Sequence, residues 1–173
     1  MAAGPVLVDS TVLIRLILGE EGADFAVNLL SRAEQGLETI VLPSTAFLAA
    51  VSSALVAAAS AESGAETFEE SVAKLYDVEV REKAYTRVQP LVDYIDRLVK
   101  MGRIIPYNVT VDDISEAYRR ASRQGLTLLD AITVVVAEKL KIQKVATFSK
   151  RLRVGLQGFT VLPPSEQTKR QKG

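Results

Sequence analysis

Residues 6–14 read VLVDSTVLI, and this stretch decides the fold class. Its first three residues form a continuous apolar run, which is typical of a short buried strand, and the run ends at Asp9. From residue 11 the apolar residues recur at helical spacing until Gly19, so a helix is predicted directly after the strand. A buried strand that leads straight into a helix indicates a protein in which strands and helices alternate.

The same alternation continues along the rest of the chain. Each further apolar run is bounded by turn residues, and segments with helical periodicity separate the runs. The strands predicted after the first one cover residues 39–42, 104–105, 144–148 and 159–162. We therefore predict an α/β fold with three layers, in which helices flank a mainly parallel sheet of about five strands. In such sheets the functional residues lie beyond the carboxyl ends of the strands.

Residues 39–61 carry no charged side chain, and this stretch is long enough to span a lipid bilayer. It also contains Pro43 and, from Ser44 onward, five Ser or Thr residues, and it is rich in Ala rather than in Leu or Ile. We interpret it as a strand followed by a buried helix that Ser44 caps, and we expect no membrane association. Because the N-terminus has no basic region of the kind found in secretory signals, we expect a cytoplasmic protein.

Composition excludes several classes of chemistry. The 173 residues include no His and no Cys, so serine or cysteine protease triads, imidazole metal sites and thiolate sites cannot be built. The sequence also lacks the Gly-Lys pair of a phosphate-binding loop and the glycine pattern of dinucleotide-binding proteins. Any catalytic metal would therefore be bound through oxygen atoms, which favours Mg²⁺ or Mn²⁺.

A net charge of zero conceals a gradient along the chain. Residues 1–80 carry 3 basic and 12 acidic side chains, whereas residues 117–173 carry 12 basic and 3 acidic ones. A basic C-terminal part is typical of a nucleic-acid-binding surface. Pairing of the two oppositely charged parts on folding explains the gradient equally well, so the pattern alone leaves both interpretations open.

Two Asp residues stand where the predicted fold places functional residues. Asp9 follows the first strand, and Asp130 lies in the first turn of a late apolar helix. Each also has a structural explanation, because Asp9 is suited to cap a helix and Thr127 with Asp130 fits a capping box. Asp112 or Asp113 is likewise suited to cap the helix that follows the third predicted strand.

Three segments resemble motifs of the PIN domain family, and especially of its VapC-type toxins. They occur in the family's order and read VLVDSTVLI at 6–14, GLTLLDAI at 125–132 and KVATFS at 144–149. The resemblance implies a single PIN-like domain over residues 1–164, with residues 62–103 as an enlarged helical middle. Within that middle, the acidic segment 62–79 is expected to form a surface helix or a lid. Residues 165–173 are expected to form a frayed basic tail.

The resemblance further implies a metal-dependent RNA endonuclease. PIN nucleases gather about four carboxylates that hold Mg²⁺ or Mn²⁺ for phosphodiester hydrolysis. Asp9 matches the first acid and Asp130 the third, whereas Ala49 or Ala50 stands at the second position and Ser149 at the fourth. We therefore expect weakened activity. The alternative is a catalytically inactive PIN domain that binds RNA or a protein.

The expected site follows from the same motifs. Asp9 and Asp130 are the predicted catalytic residues and metal ligands, and the expected supporting residues are Ser10, Thr147 and Ser149. RNA is the expected substrate, and a small antitoxin protein and a second copy of the chain are further expected partners. The basic residues expected to contact RNA phosphates are Lys144, Lys150, Arg151 and Arg153.

Overall fold

A parallel sheet forms the centre of the molecule. The structure is a computed structural model that describes residues 4–164, so the predicted tail at 165–173 lies outside the described residues. The five strands in the described range are β1 (Val6–Val8), β2 (Ile40–Pro43), β3 (Ile104–Tyr107), β4 (Lys144–Ala146) and β5 (Thr160–Leu162). They lie in the order β3-β2-β1-β4-β5, and every neighbouring pair is parallel.

Helices cover both faces of this sheet, and the predicted three-layer α/β/α fold is confirmed. The eight helices of the described range are α1 (Ser10–Leu18), α2 (Ala23–Glu34), α3 (Ser44–Ser63), α4 (Phe68–Lys74), α5 (Val78–Lys100), α6 (Val111–Gln124), α7 (Leu128–Lys139) and α8 (Lys150–Gly155). One core lies between the sheet and helices α1, α2, α3 and α5. A second core lies between the sheet and helices α6, α7 and α8.

β1 contributes to both cores. Val6 and Val8 pack against the first core, and Leu7 packs against the second. Successive side chains of a strand point to opposite faces, so a central strand covered by helices on both sides must be apolar throughout. This is why the continuous apolar run before Asp9 predicts the fold correctly.

α3 is the one described helix that is long and apolar enough to cross a membrane, by length and composition alone. It follows β2 directly and packs against α1, α4 and α5. Its buried side is a stripe of small residues at four-residue spacing, formed by Ala46, Ala50, Ala54 and Ala58. These short side chains let the neighbouring helices approach closely.

Two predicted helix caps are wrong. Pro43 occupies the N-cap position of α3, and Ser44 is already helical, with its side chain accepting a hydrogen bond from the Val109 N–H at 3.2 Å. Thr110, rather than an acidic residue, caps α6, and Asp113 completes a capping box with it. In both cases the strand ends one or two residues later than predicted, whereas the helix begins earlier, by one residue in α3 and by two or three in α6.

The middle of the chain, residues 62–103, consists of the end of α3, the short helix α4 and the long helix α5. A capping box formed by Thr67 and Glu70 begins α4. The first half of α5 packs on the outer half of α3 through Ala84 and Val88, and its second half joins the first core.

Candidate functional site

The candidate site lies where β1 and β4 end. These two strands are neighbours in the sheet, and Val8 pairs with Ala146. Asp9 follows β1, and Thr147 follows β4, so the parallel pairing brings both residues to the same edge of the sheet. The Asp9 N–H donates to the carbonyl oxygen of Ala146 at 3.1 Å, which extends the pairing by one residue.

The carboxylate of Asp9 is buried, with 4% of the residue exposed, and both of its oxygens accept hydrogen bonds. Oδ1 accepts from the Thr11 N–H at 2.7 Å and from the Thr11 hydroxyl at 2.5 Å. Oδ2 accepts from the Thr147 hydroxyl at 2.5 Å. Burial raises the pKa of Asp9; the hydrogen bonds from the two threonines lower it, and the nearby charge of Asp130 raises it further. The net pKa of Asp9 lies above its usual value.

The same two threonines join the first turn of α1 to the loop after β4. The Thr11 hydroxyl accepts a hydrogen bond from the Phe148 N–H at 2.8 Å, and the Thr147 hydroxyl accepts one from the Ser149 N–H at 2.9 Å. Asp9 therefore caps α1, as its structural explanation predicts, and also joins two strand ends. The capping role and a role in the site are compatible.

Phe148 holds the second of these loops against α1 and α2. Its ring meets Phe25 edge-on at a centroid distance of 5.8 Å, and the Arg15 guanidinium lies 4.2 Å from its centroid. Gly22, at φ +93°, leaves the room for this ring, because a Cβ at that position would lie 2.6 Å from it. These contacts fix the position of Thr147 and Ser149 relative to Asp9.

Asp130 has a different environment from Asp9. It lies in the first turn of α7 and is 8% exposed, and its backbone N–H donates to the Thr127 hydroxyl at 3.1 Å. The reciprocal half of the predicted capping box does not form, and no residue in the described range donates a hydrogen bond to the Asp130 carboxylate. Neither Asp130 carboxylate oxygen is a fully buried atom without a partner, so both are open to water or a cation at the cavity.

Asp9 and Asp130 face one small cavity. The space open to the centre of a water molecule there is about 10 Å³, room for about one water or one bare cation. The residues that line the cavity are Asp9, Ser10, Thr45, Ala46, Leu129, Asp130 and Thr133. Its polar side chains are carboxylates and hydroxyls, which are the donors that Mg²⁺ and Mn²⁺ prefer. The donor set therefore fits a divalent cation, as does the Asp130 carboxylate, which accepts no hydrogen bond from residues 4–164.

The positions that lack an acid are also located by the structure. No group of three or more acidic residues that could hold a metal ion is present within residues 4–164. Ala50 is fully buried and lies one helical turn after Ala46, which lines the cavity, whereas Ala49 is half-buried. Residue 50 therefore lies on the same face of α3 as Ala46, in the core beyond the residues that line the cavity. Ser149 caps α8, and its hydroxyl accepts from the Leu152 N–H at 3.1 Å.

The four predicted RNA-binding residues occupy different environments. Lys150 and Arg151 are exposed in the first turn of α8, directly after Ser149. Lys144 begins β4 and therefore lies at the end of the strand opposite to Thr147. The Arg153 guanidinium donates to the carbonyl oxygens of Thr147 and Pro163, both at 2.8 Å, and burial lowers its pKa.

Three residues of the site are not among those predicted from the sequence. Thr11 binds Asp9, and Thr45 and Thr133 line the cavity. Thr133 could have been found, because a residue three positions after Asp130 lies on the same face of a helix. Thr45 could have been found as a polar residue just beyond the carboxyl end of β2.

In an α/β/α domain with a parallel sheet, ligands bind just outside the carboxyl ends of the strands, and this is where Asp9 and Asp130 lie. Residues 6–154 match the family model of the PIN domain, so the chain belongs to the PIN domain family. The resemblance to PIN domains is thereby confirmed. Membership places the chain in a superfamily of nucleases, and PIN domains generally depend on divalent metal ions.

A solved structure agrees with this assignment. The crystal structure of PAE2754 from Pyrobaculum aerophilum is similar, with a TM-score of 0.54 and 15% sequence identity, over 98% of this chain and 88% of that chain. At this level of identity the similarity shows a common fold. No curated protein matches the chain.

Proposed function

We propose that this PIN domain is a VapC-like, metal-dependent RNA endonuclease with weakened activity. The observation that carries the proposal is the Asp130 carboxylate, which is buried beside Asp9 and receives no hydrogen bond from the described residues. A divalent cation between the two carboxylates would compensate this charge.

Each residue of the site then has a defined task. A bound Mg²⁺ or Mn²⁺ ion supplies Lewis-acid chemistry, because it lowers the pKa of a bound water and stabilises negative charge on the attacked phosphodiester. Asp9 and Asp130 hold the ion, while Thr11 and Thr147 fix the orientation of the Asp9 carboxylate through hydrogen bonds of 2.5 Å each. Ser10 lines the cavity, and Ser149 keeps the loop after β4 in place by capping α8.

Two carboxylates account for activity that is weak rather than absent. A Mg²⁺ site often contains only one or two carboxylates, with waters and substrate phosphates as the other ligands. Two carboxylates therefore suffice for one ion, but a two-metal mechanism needs more negative charge than Asp9 and Asp130 supply. Ala50 and Ser149 occupy the positions from which the family resemblance implies the missing charge.

RNA cleavage is the direct test of this function. Cleavage of a mixed RNA panel should require Mg²⁺ or Mn²⁺ and should disappear in Asp9→Asn and in Asp130→Asn. Asp96→Asn is the matched control, since Asp96 is exposed on α5. Equal cleavage by all variants would mean a contaminating nuclease. No cleavage by a native protein that still binds RNA would favour the alternative, an inactive RNA-binding PIN domain.

Restoring the missing acids tests the reason for weak activity. Ala50→Glu combined with Ser149→Asp should increase the affinity for Mn²⁺, measured by calorimetry, and increase cleavage. Asp is a good N-cap residue, so the substitution at 149 preserves the start of α8. The matched control is Ala50→Gln with Ser149→Asn, which has the same size without the charge. An equal gain in both variants would contradict the charge explanation.

The basic residues around α8 are proposed to hold the RNA backbone. Lys150 and Arg151 are exposed directly after Ser149, so they are the proposed contacts. Lys144 lies at the opposite end of β4, and the Arg153 guanidinium already donates to two carbonyl oxygens, so neither is included. Contacts of this kind weaken as salt increases, because RNA binding displaces counterions. Lys150→Ala with Arg151→Ala should lower both the affinity and its salt dependence. Lys83→Ala, an exposed change on α5, is the control.

Four expectations from the sequence stay predictions. They are a small antitoxin partner, a homodimer, a cytoplasmic location and the absence of membrane association. Light scattering of the purified protein measures the oligomeric state. Co-purification with a small protein encoded next to it would test the antitoxin prediction.

A further inference from the structure

The cavity between Asp9 and Asp130 contains two threonines that belong to neither acidic motif. Thr45 comes from the first turn of α3, and Thr133 lies one turn after Asp130 in α7. The only apolar residues that line the cavity are Ala46 and Leu129, within the range that the structure describes. Two helices from opposite layers thus each place a hydroxyl beside the carboxylates.

The Thr133 hydroxyl has lone pairs available for a ligand. The residue is only 4% exposed, and its hydroxyl donates to the Leu129 carbonyl oxygen at 3.2 Å. Since this bond uses the only hydroxyl proton, the oxygen can act toward the cavity only as an acceptor or as a metal ligand. Asp130, which faces the same cavity, is an acceptor when ionised, so the two groups are not suited to bond each other.

Thr45 occupies the corresponding place on the other side of the cavity. It is half-buried in the first turn of α3, whose N-cap Pro43 offers no side-chain hydrogen bond. β2 pairs with β1, so the residues just after Pro43 lie next to Asp9 at the sheet edge. Thr45 is therefore the polar side chain that α3 contributes to the cavity, one to two turns before the alanines that replace the family's acid.

We propose that the hydroxyl oxygens of Thr45 and Thr133 act as neutral ligands to the divalent cation, in place of the acidic residue that α3 lacks. Threonine and serine hydroxyls bind Mg²⁺ in phosphate-binding loops, so the chemistry has precedent. The cavity has room for about one water-sized particle, which favours direct contact with side-chain oxygens over a fully hydrated ion. This inference rests on the proposed function, because it concerns the same cation.

Binding of Mn²⁺ alone, measured by calorimetry and by electron paramagnetic resonance, tests the proposal without RNA or activity. Thr45→Val and Thr133→Val remove the hydroxyls with little change in size. Each should weaken Mn²⁺ binding by roughly tenfold, in the range that losing a supporting group costs a metal site. Thr86→Val is the matched control, an exposed threonine on α5 whose loss should leave binding unchanged.

Conservative variants separate ligation from packing. Thr45→Ser and Thr133→Ser keep the oxygen and remove only a methyl group, so they should bind Mn²⁺ like the native protein. Native-like Mn²⁺ binding by both valine variants would overturn the inference. Equal losses of Mn²⁺ affinity in the serine and valine variants would also overturn it, because they would indicate an effect of packing. If Asp9→Asn and Asp130→Asn abolish binding while the valine variants do not, the proposed metal site stands and only the threonine ligands fail. No Mn²⁺ binding by the native protein would overturn both.

Discussion

Asp113 and Asp130 begin from the same local sequence pattern and end in opposite environments. Each lies three residues after a threonine that caps its helix, and each donates its backbone N–H to that threonine's hydroxyl, at 3.2 Å and 3.1 Å. Both are buried, with 3% and 8% of the residue exposed. The two helices, α6 and α7, also pack against each other.

The difference lies in what reaches the carboxylate. Asp113 accepts hydrogen bonds from the Lys139 ammonium at 2.8 Å, from the Tyr107 hydroxyl at 2.9 Å and from the Thr110 N–H at 2.9 Å. Asp130 receives none from the described residues and faces the cavity that it shares with Asp9. A buried Asp in the first turn of a helix therefore stabilises the fold when donors reach its carboxylate. When no donor reaches it, the carboxylate is available to bind a ligand.

The largest expected effect is on the stabilisation of the fold by Mn²⁺, which should depend on Asp130 and not on Asp113. A ligand that binds only the folded state at a hundred times its dissociation constant adds about 2.7 kcal/mol to the free energy of unfolding. Mn²⁺ should stabilise the native protein and Asp113→Asn in this way, and should not stabilise Asp130→Asn. Urea denaturation with and without Mn²⁺ measures the difference. Equal stabilisation of both variants would place the ion elsewhere.

Without metal, Asp113→Asn should lower the free energy of unfolding more than Asp130→Asn does. Asp113→Asn replaces a charged acceptor of three hydrogen bonds and leaves the Lys139 ammonium without its partner, so it should lower the free energy of unfolding by about 2 kcal/mol. Asp130→Asn should change it by less than about 0.5 kcal/mol, because no hydrogen bond to the carboxylate is lost. The two variants compared in metal-free urea denaturation test this. A larger loss of stability in Asp130→Asn than in Asp113→Asn would contradict this explanation.

Acidification should reduce the contribution of Asp113. Burial raises the pKa of this carboxyl, but the hydrogen bonds from Lys139, Thr110 and Tyr107 outweigh burial and hold the pKa well below its usual range. A carboxyl with a lowered pKa stabilises the fold at pH values above its unfolded pKa, near 3.8, and loses that contribution as the pH falls further. The stability difference between the native protein and Asp113→Asn should therefore be constant from pH 7 to pH 5 and shrink below pH 4. A difference that does not depend on pH would mean that the charge of Asp113 contributes nothing.

The smallest expected effect on stability comes from removing a single hydrogen-bond donor to Asp113. Tyr107→Phe removes one of the three hydrogen bonds to Asp113 and should cost about 1 kcal/mol. Tyr118→Phe, an exposed tyrosine on α6, is the matched control and should cost nothing measurable. If both substitutions have the same effect, the Tyr107 hydroxyl does not stabilise Asp113.

Most of the fold could be predicted because its signals are local. The apolar runs at 6–8 and 40–42 predict buried strands whatever their partners, and helical periodicity is visible within a single segment. The ends of elements were harder to predict. β3 was expected to end before Pro106, but it continues to Tyr107, because an edge strand tolerates a residue without an N–H donor.

The candidate site could be predicted only in part. Asp9 and Asp130 were found because each stands next to a recognisable element, and the cavity brings them together as expected. Thr45 and Thr133 were missed, because a threonine in the first turns of an apolar helix is common and nothing nearby in the sequence marks it. Their importance depends on α3 and α7 meeting across the end of β1.

The amino-acid sequence by itself determined the α/β class, the exclusion of histidine and cysteine chemistry, and the two acids at the sheet edge, because these depend on composition and on short-range pattern. Only the tertiary structure decided which of two similar aspartates receives no hydrogen bond on its carboxylate from residues 4–164. Capping contacts span three residues of the chain, whereas Lys139 reaches Asp113 across 26 residues and Thr147 reaches Asp9 across 138. Partners so distant in sequence meet only once the sheet and its helices have packed, and within the described residues this packing brings no donor to the Asp130 carboxylate.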